Sequence, residues 1–312
     1  MGLPTSRFGL ALGNVPRFTG VRINVSDIRV ERVDGINLSL WLPRQSDRAV
    51  YHGLMLGLVA HEAEAMRGIT VSGIGLATGE LSGVGIALVG MGAERAYGVA
   101  LNGIGFAVER RFIGLGVAGI GADVGRFTGA ALGGIGVGGG DMEGVALGGI
   151  GVGGGDMTGL FLGGVGVGGE DMTGLFFGGI GVGGQRLRGV FAGGLGVGGE
   201  DLTGLFAGGL GVGGDRITGF TAAGIGTGAN RFCGVSLNAG MLRIGDGDTR
   251  GRLQGLGVAA FTHVRGRQDG VTVGFINIAE ELHGVQIGLL NYAGNNPDGL
   301  KLLPGFNAHF RP

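Results

Sequence analysis

The chain has one cysteine (Cys233), one lysine (Lys301), one tryptophan and six prolines in 312 residues. A single cysteine excludes an internal disulfide and leaves the redox compartment open. Six prolines against 80 glycines exclude collagen and a proline-rich linker. No run of about eighteen apolar residues occurs, so no transmembrane helix is expected. The opening MGLPTSRFGLALGNV lacks a basic segment ahead of a long apolar run, so no signal peptide is read there. MGLPTS matches the loose myristoylation pattern, as short stretches do by chance. Charge is nearly balanced, with 23 basic and 24 acidic residues. Nucleic-acid binders carry a basic excess, so no nucleic-acid partner is expected.

What the chain does have is glycine, about one residue in four, together with 44% hydrophobic residues. Its mean hydropathy of +0.39 is too apolar for a disordered chain. The glycine is periodic. Opening glycines run Gly53, Gly68, Gly83, Gly98, then Gly114 onward to Gly234, in steps of fifteen with one of sixteen. The series extends less regularly back to Gly35 and Gly20, and forward to Gly251, Gly270, Gly284 and Gly299. It covers nearly the whole chain, so no internal domain boundary is expected.

Numbering slots from each opening glycine exposes the pattern within a unit. Slots one and three are apolar, as in Ile69 and Val71 or Val145 and Leu147. Slot two between them is polar in the outer units: Arg22, Asn37, Thr70, Ser236, Thr272, Gln286. Period two predicts a strand with slots one and three inward and slot two outward. Slots six and eight, such as Val165 and Val167, predict a second inward pair, and slot thirteen (Met142, Met172, Leu202) a third inward position.

Several short strands per fifteen residues predict an all-β fold, one β-solenoid of about eighteen coils. Residues 1–19 and 300–312, with Pro4, Pro16, Pro304 and Pro312, are expected to cap the ladder edges, with the solenoid over 20–299. A transmembrane barrel is the rival fold. Its strands need about 9–11 residues each, more than this repeat allows.

Motifs for chemistry fail one by one. HEAEA (61–65) lacks the second histidine of a zinc-protease helix. GDGDTRG (245–251) puts Arg250 where a calcium ligand should stand. GVGGG has neither the helix nor the lysine of a phosphate loop. GVGGGDMTGL looks like a calcium-binding nonapeptide, but at the wrong period. His52, His61, His263 and His283 are read as solvated turn or loop residues. No enzyme, cofactor or metal is therefore expected, and only the irregular units at 42–52 and 241–269 could build a site from loops. Slot twelve is a charged column in which Asp171, Arg186, Asp201 and Arg216 can pair along the edge. The alternative there is a weak cation site at Asp141, Asp156 and Asp171.

Slot two holds Phe161, Phe176, Phe191 and Phe206 in consecutive central units, and slot seven holds Gly166, Gly181, Gly196 and Gly211. If slot two is outward, these eight residues form a flat interface of aromatic rings beside bare backbone. Polar residues on slots four and seven at the ends (Asn24, Ser72, Asn102, Asn238; Asn277, Asn291) are read as outward too.

The units GVALNGIGF (98–106), GVTVGFINIAEELHG (270–284) and GVQIGLLNYAGNN (284–296), with the opening VERVDGINLSLWLP (30–43), carry a resemblance. They resemble a bacterial family of glycine-rich surface-repeat proteins. The resemblance implies a noncatalytic protein that is secreted, periplasmic or on the cell surface; the cytoplasm stays open because no signal peptide is read. The chain departs from the pattern where central units replace the outward Asn or Gln by Gly. The expected function is that of a structural homo-oligomer. The competing reading is a binding module whose flat face docks a polysaccharide, ice or a membrane. Ice binding would use the outward column Thr158, Thr173, Thr203, Thr218, which Arg188 interrupts.

Overall fold

A computed structural model describes residues 8–247 and 249–310. The chain is an all-β, glycine-initiated β-solenoid of about 19 turns with parallel stacked strands. It falls into two compact units, residues 1–155 and 156–312.

In the second unit the strands Met157–Gly163, Asp171–Gly178, Arg186–Gly193 and Asp201–Gly208 pair in parallel, each residue opposite the one fifteen later. The short strands Gly166–Gly168, Gly181–Gly183 and Gly196–Gly198 pair in the same register. At the opening glycines φ lies between +130° and +138° from Gly159 to Gly234. L side chains rarely adopt that backbone. A Cβ on Gly174 would also run into the carbonyl oxygen of Gly159 on the neighbouring rung. The stacked ladder therefore needs glycine at this slot twice over, once for the dihedral and once for the space.

The side-chain pattern corrects the expected inside and outside. Along Asp171–Gly178, Met172, Phe176 and Gly178 are buried, while Thr173, Leu175 and Phe177 are exposed. Slot two thus faces the core and slots one and three face outward. Slot six is outward as well, with Ile180 50% exposed. Slots eight and thirteen are inward as expected: Val167, Val182 and Met172 are buried. The polar residues Asn24, Ser72, Asn102 and Asn238 of slot four and Asn277 and Asn291 of slot seven are buried, not outward.

The first unit repeats this scheme from the strand Phe8–Leu12, which pairs in parallel with Arg17–Asn24 and sets Gly9 beside Gly20. The rung pattern thus reaches into the expected N-terminal cap, whose residues 1–7 lie outside the described residues together with Pro4. The sixteenth residue of the Gly98–Gly114 step is absorbed as a bulge before Phe112. In the second unit the partner of Gly234 is Gly255, not Gly251, so the chain carries an insertion around 245–250. Gly299 lies outside the ladder; beyond it Leu302–His309 turns back antiparallel on Ile276–Ala293. Residues 311–312, including Pro312, lie outside the described residues.

Candidate interaction face

The eight residues expected to form one interface stand on opposite sides of the sheet. Phe161, Phe176, Phe191 and Phe206 are buried and stack ring on ring, with centroids 5.1, 4.9 and 5.5 Å apart. Interplanar angles of 12°, 1° and 16° make a nearly parallel pile along the core. Such contacts add about 0.5–1.5 kcal/mol per pair beyond burial. Gly166, Gly181, Gly196 and Gly211 face outward and half-buried on a separate strip. The slot-nine glycines beside them include Gly198 and Gly213, where an added Cβ would meet nothing within 4 Å. Backbone packing does not demand glycine at those two positions, so the strip is barer than the fold requires.

The exposed apolar surface lies on slots one, three and six instead. In the second unit, slot one presents Leu175 and Leu205, slot three Phe177, and slot six Val165, Ile180, Leu195, Leu210 and Ile225. The slot-six ridge is continuous because its backbone carries the ladder around the corner: the N–H of Leu195 donates to the Ile180 carbonyl at 2.6 Å, and that of Leu210 to Leu195 at 2.7 Å. In the first unit the same columns carry Ile69, Leu115 and Val145, then Leu101, Leu132 and Leu147, then Ile104, Ile120, Ile135 and Ile150.

The inner slot-two column is polar toward the ends. In the first unit Arg22 and Asn37 are fully buried. Arg22 pairs with Asp27 and donates from Nε to Asn37 Oδ1 at 2.9 Å and from a terminal nitrogen to the Val15 carbonyl at 2.8 Å. Asn24 and Asn37 also donate to the Asp27 carboxylate, at 2.7 and 3.1 Å. Asp27 thus receives three side-chain donors, which offsets the cost of burying its charge. In the second unit Thr221 donates to Ser236 at 2.8 Å, Thr227 to Asn238 at 2.7 Å, and Asn277 to Asn291 at 2.8 Å. In these cases neighbouring rungs supply the partner a buried polar residue needs; the Thr70 hydroxyl and the Asn102 amide are buried with no partner among the described residues.

His61 corrects another expectation. It is buried, with Nδ1 3.1 Å from Ser72 Oγ and Nε2 without a partner among the described residues. The HEAEA stretch is part of the strand Ala60–Ser72, with His61 inward and Glu62 outward. The Tyr51 hydroxyl makes no hydrogen bond of good geometry nearby; burial first, then the Asp27 charge, raises its pKa. Burial also lowers the His61 pKa from its ordinary 6.5, partly opposed by Asp27 and reinforced by Arg22. The unfolded chain therefore binds the proton first as pH falls, and stability is lost below about 6.5. The fall is expected to approach 1.4 kcal/mol per pH unit, at most ~1.4 for one proton. Thermal melts between pH 7.5 and 5.5 should show this loss, and His61→Gln should flatten that part of the profile.

The charged edge pairs as expected at Arg186 with Asp171 and Arg216 with Asp201, and Arg126 also pairs with Asp141 at 3.3 Å. Asp141 and Asp171 thus already have guanidinium partners, and among the described residues no group of three or more His, Cys, Asp or Glu could hold a metal ion. The pairs are exposed and worth about 0–1 kcal/mol each. The Thr158, Thr173, Thr203 and Thr218 column is outward, with Arg188 in register between its second and third members. In the GDGDTRG segment Asp246 lies 3.7 Å from Arg243, and Asp248 is outside the described residues.

No family model, curated protein or solved structure matches this chain. Its surface is therefore read on its own terms. The outward aliphatic columns escaped the sequence reading, although slot thirteen held the signal that would have found them.

Proposed function

We propose that this protein is a nonenzymatic structural repeat protein that self-associates by packing the aliphatic face of one copy against that of another. The supporting observation is the run of outward Leu, Ile, Val and Phe side chains on slots one and six of a parallel sheet, joined on slot three by Leu162 and Phe177 and then by Ala192, Ala207 and Ala222. Parallel sheets are ordinarily covered on both faces, because an apolar outer surface is costly in water. Six rungs of the second unit at about 4.8 Å, each presenting six slots at about 3.3 Å, make a footprint of roughly 570 Å². That is at the upper end for a monomer's largest apolar patch, and most of the ~800 Å² per partner of a standard interface.

A second copy suits this face better than a lipid surface or a polysaccharide. Lipid-facing surfaces are edged by Trp and Tyr, whereas the chain has one Trp and three Tyr. A polysaccharide would need polar groups among the apolar ones, and slots one, three and six supply none in Leu160–Ile225. Evenly spaced aliphatic ridges do fit between the ridges of an identical sheet. A bacterial surface or envelope setting joins this proposal through the repeat resemblance alone.

Sedimentation equilibrium tests it. Wild type should be oligomeric at micromolar concentration, and the double variant Leu175→Glu, Leu205→Glu should be a folded monomer with a melting temperature within a few degrees. Both positions are outward, so the core is untouched. A monomeric wild type, or variants that keep the wild-type mass, would overturn the reading. Flotation of monomeric wild type with vesicles would put lipid in place of the second copy.

A further inference from the structure

The insertion between Gly234 and Gly255 contributes Arg250 and Gly251 to a second feature of the 156–312 unit. Arg216, Arg231, Arg252 and Arg267 stand directly opposite one another on four consecutive rungs. Rungs are about 4.8 Å apart, and like charges directly opposite destabilise a ladder. With Arg250 from the insertion and Glu281 from the next rung, these arginines line a cleft of about 610 Å³.

Carboxylates neutralise only part of this charge. Asp201 pairs with Arg216. Asp269 is shared, accepting from Arg252 at 2.8 Å and from Arg267 at 2.7 Å. Glu281 lies 3.6 Å from Arg250. Among the described residues Arg231 has no carboxylate partner, although it sits in the middle of the column. Five guanidiniums thus face three carboxylates, a surplus of two positive charges. Thr218 and Gln254 add a hydroxyl and an amide to the same wall.

We infer that this cleft binds a phosphomonoester, with the phosphate on Arg231 and its neighbours. A phosphomonoester carries close to two negative charges at neutral pH and three acceptor oxygens, matching the surplus. Guanidinium groups bind such oxygens by paired, charge-assisted hydrogen bonds. The volume exceeds that of a bare phosphate and falls in the range of small-molecule sites, so a sugar-sized ester fits.

Cys233, the only cysteine, is exposed on the cleft wall and reports on occupancy. The experiment follows alkylation of Cys233 by neutral iodoacetamide with added glucose 6-phosphate, inorganic phosphate or glucose. Glucose 6-phosphate should slow alkylation severalfold in a saturable manner, and glucose should not. Arg231→Gln should weaken the protection about tenfold or more. Protection is scored against the variant's own unprotected rate, and the melting temperature should not fall, because Arg231 is exposed, has no carboxylate partner among the described residues and stands opposite Arg216 and Arg252. Arg188→Gln, outside the cleft, should protect like wild type. Protection by inorganic phosphate that also depends on Arg231 supports the oxyanion site, and the ratio of the two affinities measures what the sugar adds. No protection by either phosphate, or protection that survives Arg231→Gln, overturns the inference.

Discussion

Phe176→Ser should cost the second unit several kcal/mol of stability, while the same change at the adjacent Phe177 should cost less than about one. Phe176 is fully buried and lies between two parallel rings, Phe161 at 5.1 Å and Phe191 at 4.9 Å. Truncating a buried Phe costs about 3–5 kcal/mol, because the cavity collapses only in part. Serine adds a hydroxyl among apolar neighbours, a further ~1–3 kcal/mol if it finds no partner. Phe177 is outward and 38% exposed, so its loss removes packing on the surface only. Urea unfolding followed by circular dichroism measures both. At concentrations where the chain self-associates, Phe177→Ser should instead weaken association. If Phe177 proved the costlier position, the inner and outer sides of the sheet would be exchanged, since a shift of one residue turns every side chain over.

That pair of neighbours marks how much of the fold was legible. The glycine period, the stacking of rungs and the inward slots eight and thirteen could all be read from the letters; the strand lengths could not, since strands such as Ala60–Ser72 and Gly211–Ala223 run thirteen residues through the opening glycine. The side of slots one to three could not be read from their hydrophobicity, which points the wrong way. Leu175 and Phe177 are apolar and outside, whereas Arg22, Asn37 and Thr70 are polar and inside. The usual expectation that polar residues face water fails where neighbouring rungs hydrogen-bond each other within the core, as Arg22, Asp27 and Asn37 do.

A better signal was present in slot thirteen. Met172 sits between Asp171 and Thr173, so its inward direction is unambiguous. Counting by twos from Met172 passes through Gly174 to Phe176 and Gly178, all on the inner parity. The glycine looked like a break between strands, which would have reset the count. It is in fact a residue within one strand, Asp171–Gly178, held at φ +134°. Phe161, Phe176, Phe191 and Phe206 were set on the outer side for the same reason. The arginine column was legible only in part, because naming Gly251 as the opening glycine displaced Arg252 from register with Arg231.

The opening glycine itself carries the other large effect. Gly204→Ala should destabilise the second unit by about 3 kcal/mol or more, whereas Gly213→Ala should change stability by no more than about 0.5 kcal/mol. Gly204 has φ +136°, and its Cβ would fall on the carbonyl oxygen of Gly189, a backbone atom that cannot rotate away. An unfavourable dihedral costs about 1–3 kcal/mol, and forcing apart a packed contact costs about as much again. The rungs on both sides are held by that ladder, so displacing one also weakens the coupling between its neighbours. Denaturant unfolding should therefore become less cooperative as well as occurring earlier. Gly213 has neither constraint: its φ is not in the left-handed region and nothing lies within 4 Å of an added Cβ. Alanine there reduces the freedom of the unfolded chain, which offsets any small loss. Equal effects at the two sites would mean that glycine serves the repeat only through its flexibility. A large loss confined to Gly204 would show that the rung-to-rung approach at this slot is what the fifteen-residue period preserves.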